Sequence, residues 1–208
     1  RAMMEKITNL PLPPDQPLDI DCGTCNKCID ACPTGALVGP GQLDAQRCIS
    51  FLTQKKGSLS DEAKAKIGNR LYGCDTCQVV CPVNKGKNWT HHTDIEPQAE
   101  DVKPLLVPLL ELSNKQFKRR FGYSAGAWRG KNPIQRNALI ALGHFRDASA
   151  VTKMKAILLQ DERSYMRETS AWALGRIAND EAVQALEEAL EQETDPEVSE
   201  AIQRALGQ

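Results

Sequence analysis

Apolar residues recur at every fourth position in three stretches of the second half of the chain, offset from one another by 32 residues. This spacing places the side chains on one face of a helix and predicts three amphipathic helices. The three sets are Ile134, Ala138 and Leu142; Met166, Ser170 and Leu174; and Val198, Ile202 and Leu206.

An Ala-Leu-Gly triplet closes each stretch, at 141–143, 173–175 and 205–207. Between triplets a second apolar set aligns at the same period: Val151 with Val183, Met154 with Leu186, and Leu158 with Leu190. Each unit therefore has the pattern of a helical hairpin, with the triplet glycine near a helix end. Such a hairpin cannot cover its own apolar face, so we expect the units to stack as HEAT-like repeats. A single irregular helical bundle is the alternative.

The first half of the chain lacks this repeat. Residues 10–17 contain four prolines, which exclude a helix or a central strand and predict a linker. Because only nine residues precede them, we expect the natural chain to continue upstream. The apolar stretch 104–112 predicts a further helix.

Composition places the chain among ordinary globular proteins. Of its 208 residues, 41% are hydrophobic and 25% are charged, which excludes a disordered or collagen-like chain. No run of about 18 apolar residues occurs, and the first residues lack the apolar core of a signal peptide. We therefore expect a cytoplasmic protein with no membrane segment.

All eight cysteines fall between positions 22 and 81, in two runs and one isolated residue. The first run, Cys-x-x-Cys-x-x-Cys-x-x-x-Cys-Pro, has the spacing of bacterial two-cluster ferredoxins, whose fourth cysteine binds the other cluster. The second run lacks its first cysteine, and Cys48 is the thiol left to replace it. Crossed ligation then predicts two 4Fe–4S clusters. Their ligands are Cys22, Cys25, Cys28 and Cys81 for the first cluster, and Cys32, Cys48, Cys74 and Cys77 for the second.

Three other readings of the cysteines are weaker. A disulfide framework needs an oxidising compartment. Structural zinc gives no reason for the prolines that follow Cys32 and Cys81. A thioredoxin-like redox pair needs only one motif. Small residues beside the ligands would let backbone amides approach the cluster sulfurs; they are Gly23, Thr24, Ala31, Gly35, Ala36 and Gly73.

The fold class predicted from these patterns is α+β: a two-cluster ferredoxin-like domain followed by an all-α HEAT-like repeat domain. We expect a linker and the remnant of an upstream domain at 1–21 and the ferredoxin-like domain at 22–86. A connector with a basic helical stretch follows at 87–131, and the repeats occupy 132–208.

Charge is distributed unevenly although the net charge is only −1. Residues 113–146 contain eight basic and no acidic residues, whereas the segments before and after them carry −2 and −7. The cations alternate with aromatic residues such as Tyr123 and Trp128, a pattern typical of binding to single-stranded or loop RNA. A solvated charged face is the alternative. The expected phosphate contacts are Lys118, Arg119, Arg120, Arg129, Lys131 and Arg136. The histidines His91, His92 and His144 are more often surface residues than ligands.

Several segments together resemble epoxyqueuosine reductase. They are Cys32-Pro-Thr-Gly-Ala-Leu37, Arg47-Cys-Ile-Ser-Phe-Leu-Thr-Gln54, Ile67-Gly-Asn-Arg-Leu-Tyr-Gly-Cys-Asp-Thr-Cys-Gln78 and Arg136-Asn-Ala-Leu-Ile-Ala-Leu-Gly143. The resemblance implies a cobalamin-dependent enzyme that reduces the epoxide of epoxyqueuosine in tRNA, the last step of queuosine synthesis. In that family a cobalamin-binding catalytic domain lies upstream of the iron–sulfur domain, and the present sequence lacks it. Ser124 stands where the family pattern suggests threonine.

The resemblance also assigns roles to residues of this chain. It implies that the clusters pass single electrons to cobalamin, that an external donor supplies those electrons, and that Ser50, Gln54 and Asp75 face the corrin. We therefore expect a monomer that docks the anticodon arm of a tRNA and needs the upstream cobalamin domain for turnover. The alternatives are a stand-alone di-cluster ferredoxin with a protein-binding repeat domain, and a zinc-stabilised scaffold.

Overall fold

The computed structural model describes residues 9–16, 22–86 and 98–207. Residues 9–16 contain neither helix nor strand, as the prolines predict. The described residues are mostly helical. None of their helices has the length and apolar character needed to cross a membrane.

Residues 22–86, which carry the cysteines, form short helices and one small sheet. The strands β1 (Leu37–Gly39) and β2 (Gln42–Leu43) pair antiparallel. The helices are α1 (Lys27–Asp30), α2 (Ile49–Leu52), α3 (Asp61–Ile67) and α4 (Thr76–Val79). Among these four α-helices only α3 has a side-chain cap at its start, where the Ser60 hydroxyl accepts the Ala63 N–H at 3.2 Å.

Three helices connect this part to the repeats: α5 (Ala99–Val102), α6 (Leu106–Glu111) and α7 (Asn114–Phe121). Helix α6 confirms the helix predicted in 104–112. Helix α7 begins with a capping box, in which Ser113 and Gln116 each accept the backbone N–H of the other. The basic stretch therefore starts on a well-defined helix.

The repeat region contains α8 (Lys131–Phe145), α9 (Val151–Gln160), α10 (Ser164–Ile177), α11 (Asp180–Gln192) and α12 (Pro196–Leu206). Helix α10 packs between α8 and α12, while α9 packs against α11. Two layers of stacked helices result, as the 32-residue period predicts. Trp172 is buried in the core. The alignment of Val183 with Val151 does not extend to burial, because Val151 is buried and Val183 is exposed.

Two of the triplet glycines, Gly143 and Gly175, lie near helix ends, but close packing rather than capping explains them. A Cβ at Gly143 would lie 2.8 Å from Ala173 Cα, and one at Gly175 would lie 2.8 Å from Ala205 Cβ. The residues that adopt the left-handed conformation after these helices are instead Arg146 and Ala178. Each glycine therefore lets the next helix of its layer approach.

Gly143→Ala is expected to lower the free energy of unfolding. Alanine favours a helix by about 1 kcal/mol over glycine, but overpacking costs about 1–3 kcal/mol. The overpacking cost should prevail here, because the nearest atom is the Cα of Ala173 and cannot move without the rest of α10. Gly207→Ala is the matched control, because a Cβ at Gly207 meets nothing closer than 3.5 Å. Chemical denaturation of both variants measures the effect, and equal stabilities would contradict this packing.

The cysteine-bearing part and the repeats share one core. Ile49 and Ile67 belong to the same buried cluster as Leu139 of α8. The two parts are also joined by the buried ammonium group of Lys64, which contacts Asp61 at 2.9 Å and Glu168 of α10 at 2.7 Å. The repeats therefore support the segments that present the cysteines.

Candidate metal centre and nucleic-acid interface

The cysteines lie on turns and short helices of residues 22–86. Cys28 is in α1 and Cys77 is in α4, and these two helices contact each other. The Cys25 N–H donates to the Cys22 carbonyl at 2.9 Å and closes a tight turn. None of the eight cysteines forms a disulfide, and all except Cys22 are partly buried.

The isolated Cys48 lies beside the second run. It is the residue that precedes α2, and its thiol acts electrostatically on Cys77. Burial raises the pKa of the Cys77 thiol, and the neighbouring Cys74 and Cys48 thiols raise it further. Cys48 therefore lies within electrostatic range of the second run.

Two cysteine sulfurs lie within hydrogen-bond distance of nearby groups. The Ala36 N–H donates to Cys32 Sγ at 3.2 Å, and the Thr34 hydroxyl lies 3.7 Å from the same sulfur. Burial raises the pKa of Cys32, but these groups and other backbone N–H groups of the turn outweigh it and lower the pKa to about 7. Likewise, the Thr76 hydroxyl lies 3.4 Å from Cys74 Sγ.

The donor set fits an iron–sulfur cluster, because soft thiolates are the ligands that such clusters take. Among residues 9–16, 22–86 and 98–207, no three His, Cys, Asp or Glu side chains lie close enough together to hold a single metal ion.

Two side chains of α8 hold the segments around Cys48 and Cys74 together. Arg136 donates to the carbonyl oxygens of Leu52 at 2.9 Å, Lys55 at 2.6 Å and Gly57 at 2.8 Å. Asn137 donates from Nδ2 to the carbonyl oxygens of Thr53 and Leu71, both at 2.8 Å. Its Oδ1 accepts from Arg136, so the two side chains form one unit, which we call the Arg136–Asn137 clamp.

Thr53 adds a further link between these segments. Its buried hydroxyl donates to the Ser50 carbonyl at 3.1 Å and accepts the Gly73 N–H at 3.0 Å. Gly73 has φ +73°, a left-handed conformation that favours glycine. The residue before Cys74 is thus fixed directly to the helix that follows Cys48.

The prediction that Arg136 contacts RNA phosphate is wrong. Its side chain is 0% exposed, and its donors are used by the carbonyl groups of the clamp. Burial lowers the pKa of Arg136 to about 10, so the group remains charged at neutral pH. This arginine supports the cysteine-bearing segments instead.

The other predicted phosphate contacts divide into two groups. Lys118, Arg119 and Arg129 are exposed and form no ion pair with any residue in the described ranges. Arg120 contacts Asp101 Oδ1 at 3.2 Å, which neutralises part of its charge. Lys131 is half-buried and donates to Gln135 Oε1 at 3.3 Å, and burial lowers its pKa.

An exposed aromatic residue connects this surface to the cysteine region. The Trp128 side chain is 61% exposed, and the Arg129 guanidinium lies 3.8 Å from its ring centroid. Its indole N–H donates to Gln54 Oε1 at 2.7 Å, and Gln54 Nε2 donates to the Ser50 carbonyl at 2.8 Å. Tyr123 is also exposed, but its hydroxyl donates to Asp101 Oδ2 at 2.7 Å.

The residues expected to face a corrin lie close in the chain to Cys48 and Cys74. Ser50 is partly buried in α2, and Asp75 is exposed at the start of α4. Gln54 differs from them because both ends of its amide are already hydrogen-bonded. His91 and His92 lie outside the described residues, and His144 lies in α8 beside Gly68.

Sequence reasoning missed the supporting roles of Asn137, Thr53 and Lys64. The sequence did carry a signal for Asn137. Residues 134–143 have apolar side chains on most faces of the helix, and a helix that is apolar on all faces is buried. Polar residues inside such a helix need internal partners. No comparable signal marked Thr53 or Lys64, whose burial depends on the repeats packing over them.

Comparison with known families identifies both parts of the chain. Residues 21–84 match the model of the 4Fe-4S double cluster binding domain, and residues 129–207 match the model of HEAT repeats. The chain is therefore a 4Fe–4S-binding protein built together with HEAT repeats.

Individual relatives narrow this class. Epoxyqueuosine reductase of Bacillus subtilis (strain 168) is 56% identical over 98% of this chain and 53% of its own length. An uncharacterised protein of Geobacillus stearothermophilus is 55% identical over 97% of this chain and 94% of its own length. A crystal structure of an epoxyqueuosine reductase with an epoxyqueuosine-modified tRNA-Tyr stem loop superposes with a TM-score of 0.89. It is 56% identical, and the match covers 96% of this chain and 53% of that one.

The chain belongs to the epoxyqueuosine reductase family. It spans about half the length of the curated epoxyqueuosine reductases that it matches.

Proposed function

We propose that this chain is the iron–sulfur electron-transfer and tRNA-docking portion of a cobalamin-dependent reductase that converts epoxyqueuosine in tRNA to queuosine. The observation that carries this proposal is the bond from Trp128 to Gln54 at 2.7 Å, because it joins the basic surface to the segment after Cys48. An RNA bound at that surface would lie beside the residues proposed to serve redox chemistry. The family match to epoxyqueuosine reductases supports the same assignment.

Two 4Fe–4S clusters are proposed, and when bound they supply one-electron transfer. The proximity of Cys48, Cys74 and Cys77 supports their assignment to one cluster together with Cys32. The contact between α1 and α4 supports crossed ligation, since it places the two cysteine runs side by side. The ligands proposed for the other cluster are Cys22, Cys25, Cys28 and Cys81.

The remaining partners are proposed from the family. An upstream domain would hold cobalamin, with Ser50 and Asp75 facing the corrin and Gln54 orienting Ser50 through its backbone carbonyl. An external donor would supply the electrons. The protein's part would be to hold the two cysteine runs rigidly, to shield them with the repeats and to place the tRNA beside them.

Metal analysis tests the cluster assignment. Anaerobically prepared protein is expected to contain about eight iron and eight acid-labile sulfide per chain, because two cubanes use every cysteine. Cys48→Ser is expected to remove one cluster and leave the other, whereas Ser50→Ala, two residues away, should retain both. Two zinc ions with no labile sulfide would eliminate the proposal.

Salt-dependent binding tests the tRNA surface. Arg119→Ala combined with Arg129→Ala is expected to flatten the log–log salt dependence of tRNA binding by about 1.4–1.8 units, since each phosphate contact contributes about 0.7–0.9. Lys66→Ala, which removes a lysine of α3 that pairs with Glu62, is the control and should leave the slope unchanged. Filter binding across a salt series measures the slope.

Two results would contradict the tRNA surface. Indifference of the slope to the double substitution would remove these arginines from the interface. Weak tRNA binding at every salt concentration would favour the alternative, a di-cluster ferredoxin whose repeats bind a protein.

A further inference from the structure

The hydroxyl group of Thr76 is oriented by an arginine. Arg70 Nη2 donates to Thr76 Oγ1 at 3.2 Å, and the same oxygen lies 3.4 Å from Cys74 Sγ. An arginine has donors but no acceptor, so Thr76 must accept the bond from Arg70. The hydroxyl proton is therefore available for the sulfur, and when Cys74 is a thiolate ligand, which has no proton to give, Thr76 is the donor of this bond.

Arg70 is itself held in place. Its Nη1 donates at 3.0 Å to the carbonyl of Ile67, the last residue of α3, which has no partner within that helix. The side chain is half-buried between α3 and the Cys74 turn. A cationic donor on the hydroxyl oxygen polarises the O–H bond, and chains of hydrogen bonds strengthen one another in this way.

We propose that Arg70 and Thr76 form a hydrogen-bond relay that raises the reduction potential of the cluster bound by Cys74. The inference rests on the proposed function, in that it requires a cluster at this thiolate. One-electron reduction adds negative charge that the thiolate sulfurs share. A donor to sulfur therefore stabilises the reduced form more than the oxidised form, and hydrogen bonds to the sulfurs are among the factors that set cluster potentials.

The first cysteine run provides an internal comparison. Thr34 is placed relative to Cys32 as Thr76 is relative to Cys74, two residues further along the chain. There the nearby arginine, Arg47, donates at 2.7 Å to the Thr34 carbonyl and not to its hydroxyl. An arginine thus lies beside each threonine. Of the two arginines, only Arg70 donates to the hydroxyl group that contacts a cysteine sulfur.

The test is a redox titration of the anaerobically reconstituted chain, followed by electron paramagnetic resonance. Thr76→Val is expected to lower one midpoint potential by ~59 mV, which corresponds to about a tenfold change in the ratio of reduced to oxidised cluster. Thr76→Ser keeps the hydroxyl and is expected to restore the original potential. Arg70→Met is expected to shift the same midpoint downward, whereas Lys155→Met, which removes a cation of α9 in the repeats, is the control and should leave it unchanged.

The double variant separates a relay from a simple charge effect. If Arg70 acts through Thr76, then Arg70→Met adds little to the shift of Thr76→Val. Equal shifts from Arg70→Met with and without the hydroxyl would overturn the relay, as would an unchanged potential in Thr76→Val. If Thr76→Val loses a cluster, the shift in Arg70→Met decides the question, and no shift overturns the proposal. Iron and sulfide are measured first, because their absence from the unmodified chain refutes the cluster assignment itself.

Discussion

Replacing Arg136 with methionine is expected to lower the free energy of unfolding by about 3–5 kcal/mol, because three backbone carbonyl groups lose a charged donor at about 1–3 kcal/mol each. Methionine fills much of the space, so packing is largely retained. The carbonyl groups of Leu52, Lys55 and Gly57 lose this donor in partly buried places, where water replaces some of the lost bonds and keeps the total near the lower end of their sum. Chemical denaturation of the reconstituted protein measures this loss.

The same variant distinguishes the two roles considered for Arg136. Because the clamp holds the segment that follows Cys48, Arg136→Met is also expected to release iron from one cluster before the other. The salt dependence of tRNA binding should keep its slope. Arg146→Met is the control, since Arg146 is exposed at the end of the same helix. If the substitution flattens the salt dependence of tRNA binding and leaves stability unchanged, then Arg136 contacts RNA and the supporting role is wrong.

The repeats show which features local pattern can predict. Spacing of apolar residues at every fourth position identified the helices that became α8, α10 and α12, because burial of one helical face imposes that period. The role of Gly143 depends on how closely α10 approaches α8. That distance belongs to the packing of two helices, and the sequence of either one does not contain it.

The basic stretch shows the opposite case, in which composition alone misleads. The stretch has eight basic residues and no acidic residue, which indicated one continuous surface for binding an anionic ligand. The fold separates them: Arg119 and Arg129 remain exposed, Arg120 meets Asp101 from α5, and Arg136 turns inward. Asp101 lies outside the basic stretch, so no count of charges within that stretch could have found the pairing.

The cysteine ligands were predictable from the sequence only in part. Spacing within each run predicts the ligands strongly, because neighbouring thiolates must reach one cluster from a short turn. The partner of the isolated Cys48 was inferred by elimination, and its proximity to Cys77 now supports that assignment. The groups that hold it there, Thr53 and the Arg136–Asn137 clamp, act over long sequence separations and required the structure.

Glu168→Ala is expected to lower the free energy of unfolding by about 3–5 kcal/mol, because it leaves the ammonium group of Lys64 buried with one partner fewer. Lys64 is 0% exposed, and Glu168 supplies its shorter contact, at 2.7 Å. Glu168 also accepts a hydrogen bond from Ser58, so the substitution breaks two links between the repeats and the cysteine-bearing part. Equilibrium denaturation measures the change.

A double substitution shows whether the buried charge is the cause. Lys64→Met combined with Glu168→Leu removes both charges and should recover most of the lost stability, as apolar replacement of buried ion pairs often does. Glu62→Gln, in the exposed pair with Lys66, is the control and should leave the unfolding midpoint unchanged. If the double variant is no more stable than Glu168→Ala, the loss comes from packing and not from an unpaired charge.

The contacts of Asp61 at the interface between the cysteine-bearing part and the repeats should also make the stability of the fold depend on pH. Burial opposes ionisation of Asp61, but its contacts with Lys64 and Arg204 outweigh it and lower the Asp61 pKa. A carboxyl group whose pKa is lower in the folded state stabilises the fold above its unfolded pKa of about 3.9. That contribution is lost as the pH falls through the folded-state value. In Asp61→Asn the fall in stability below about pH 4 should therefore be shallower than in the unmodified chain, and an unchanged acid profile would show that Asp61 does not stabilise Lys64.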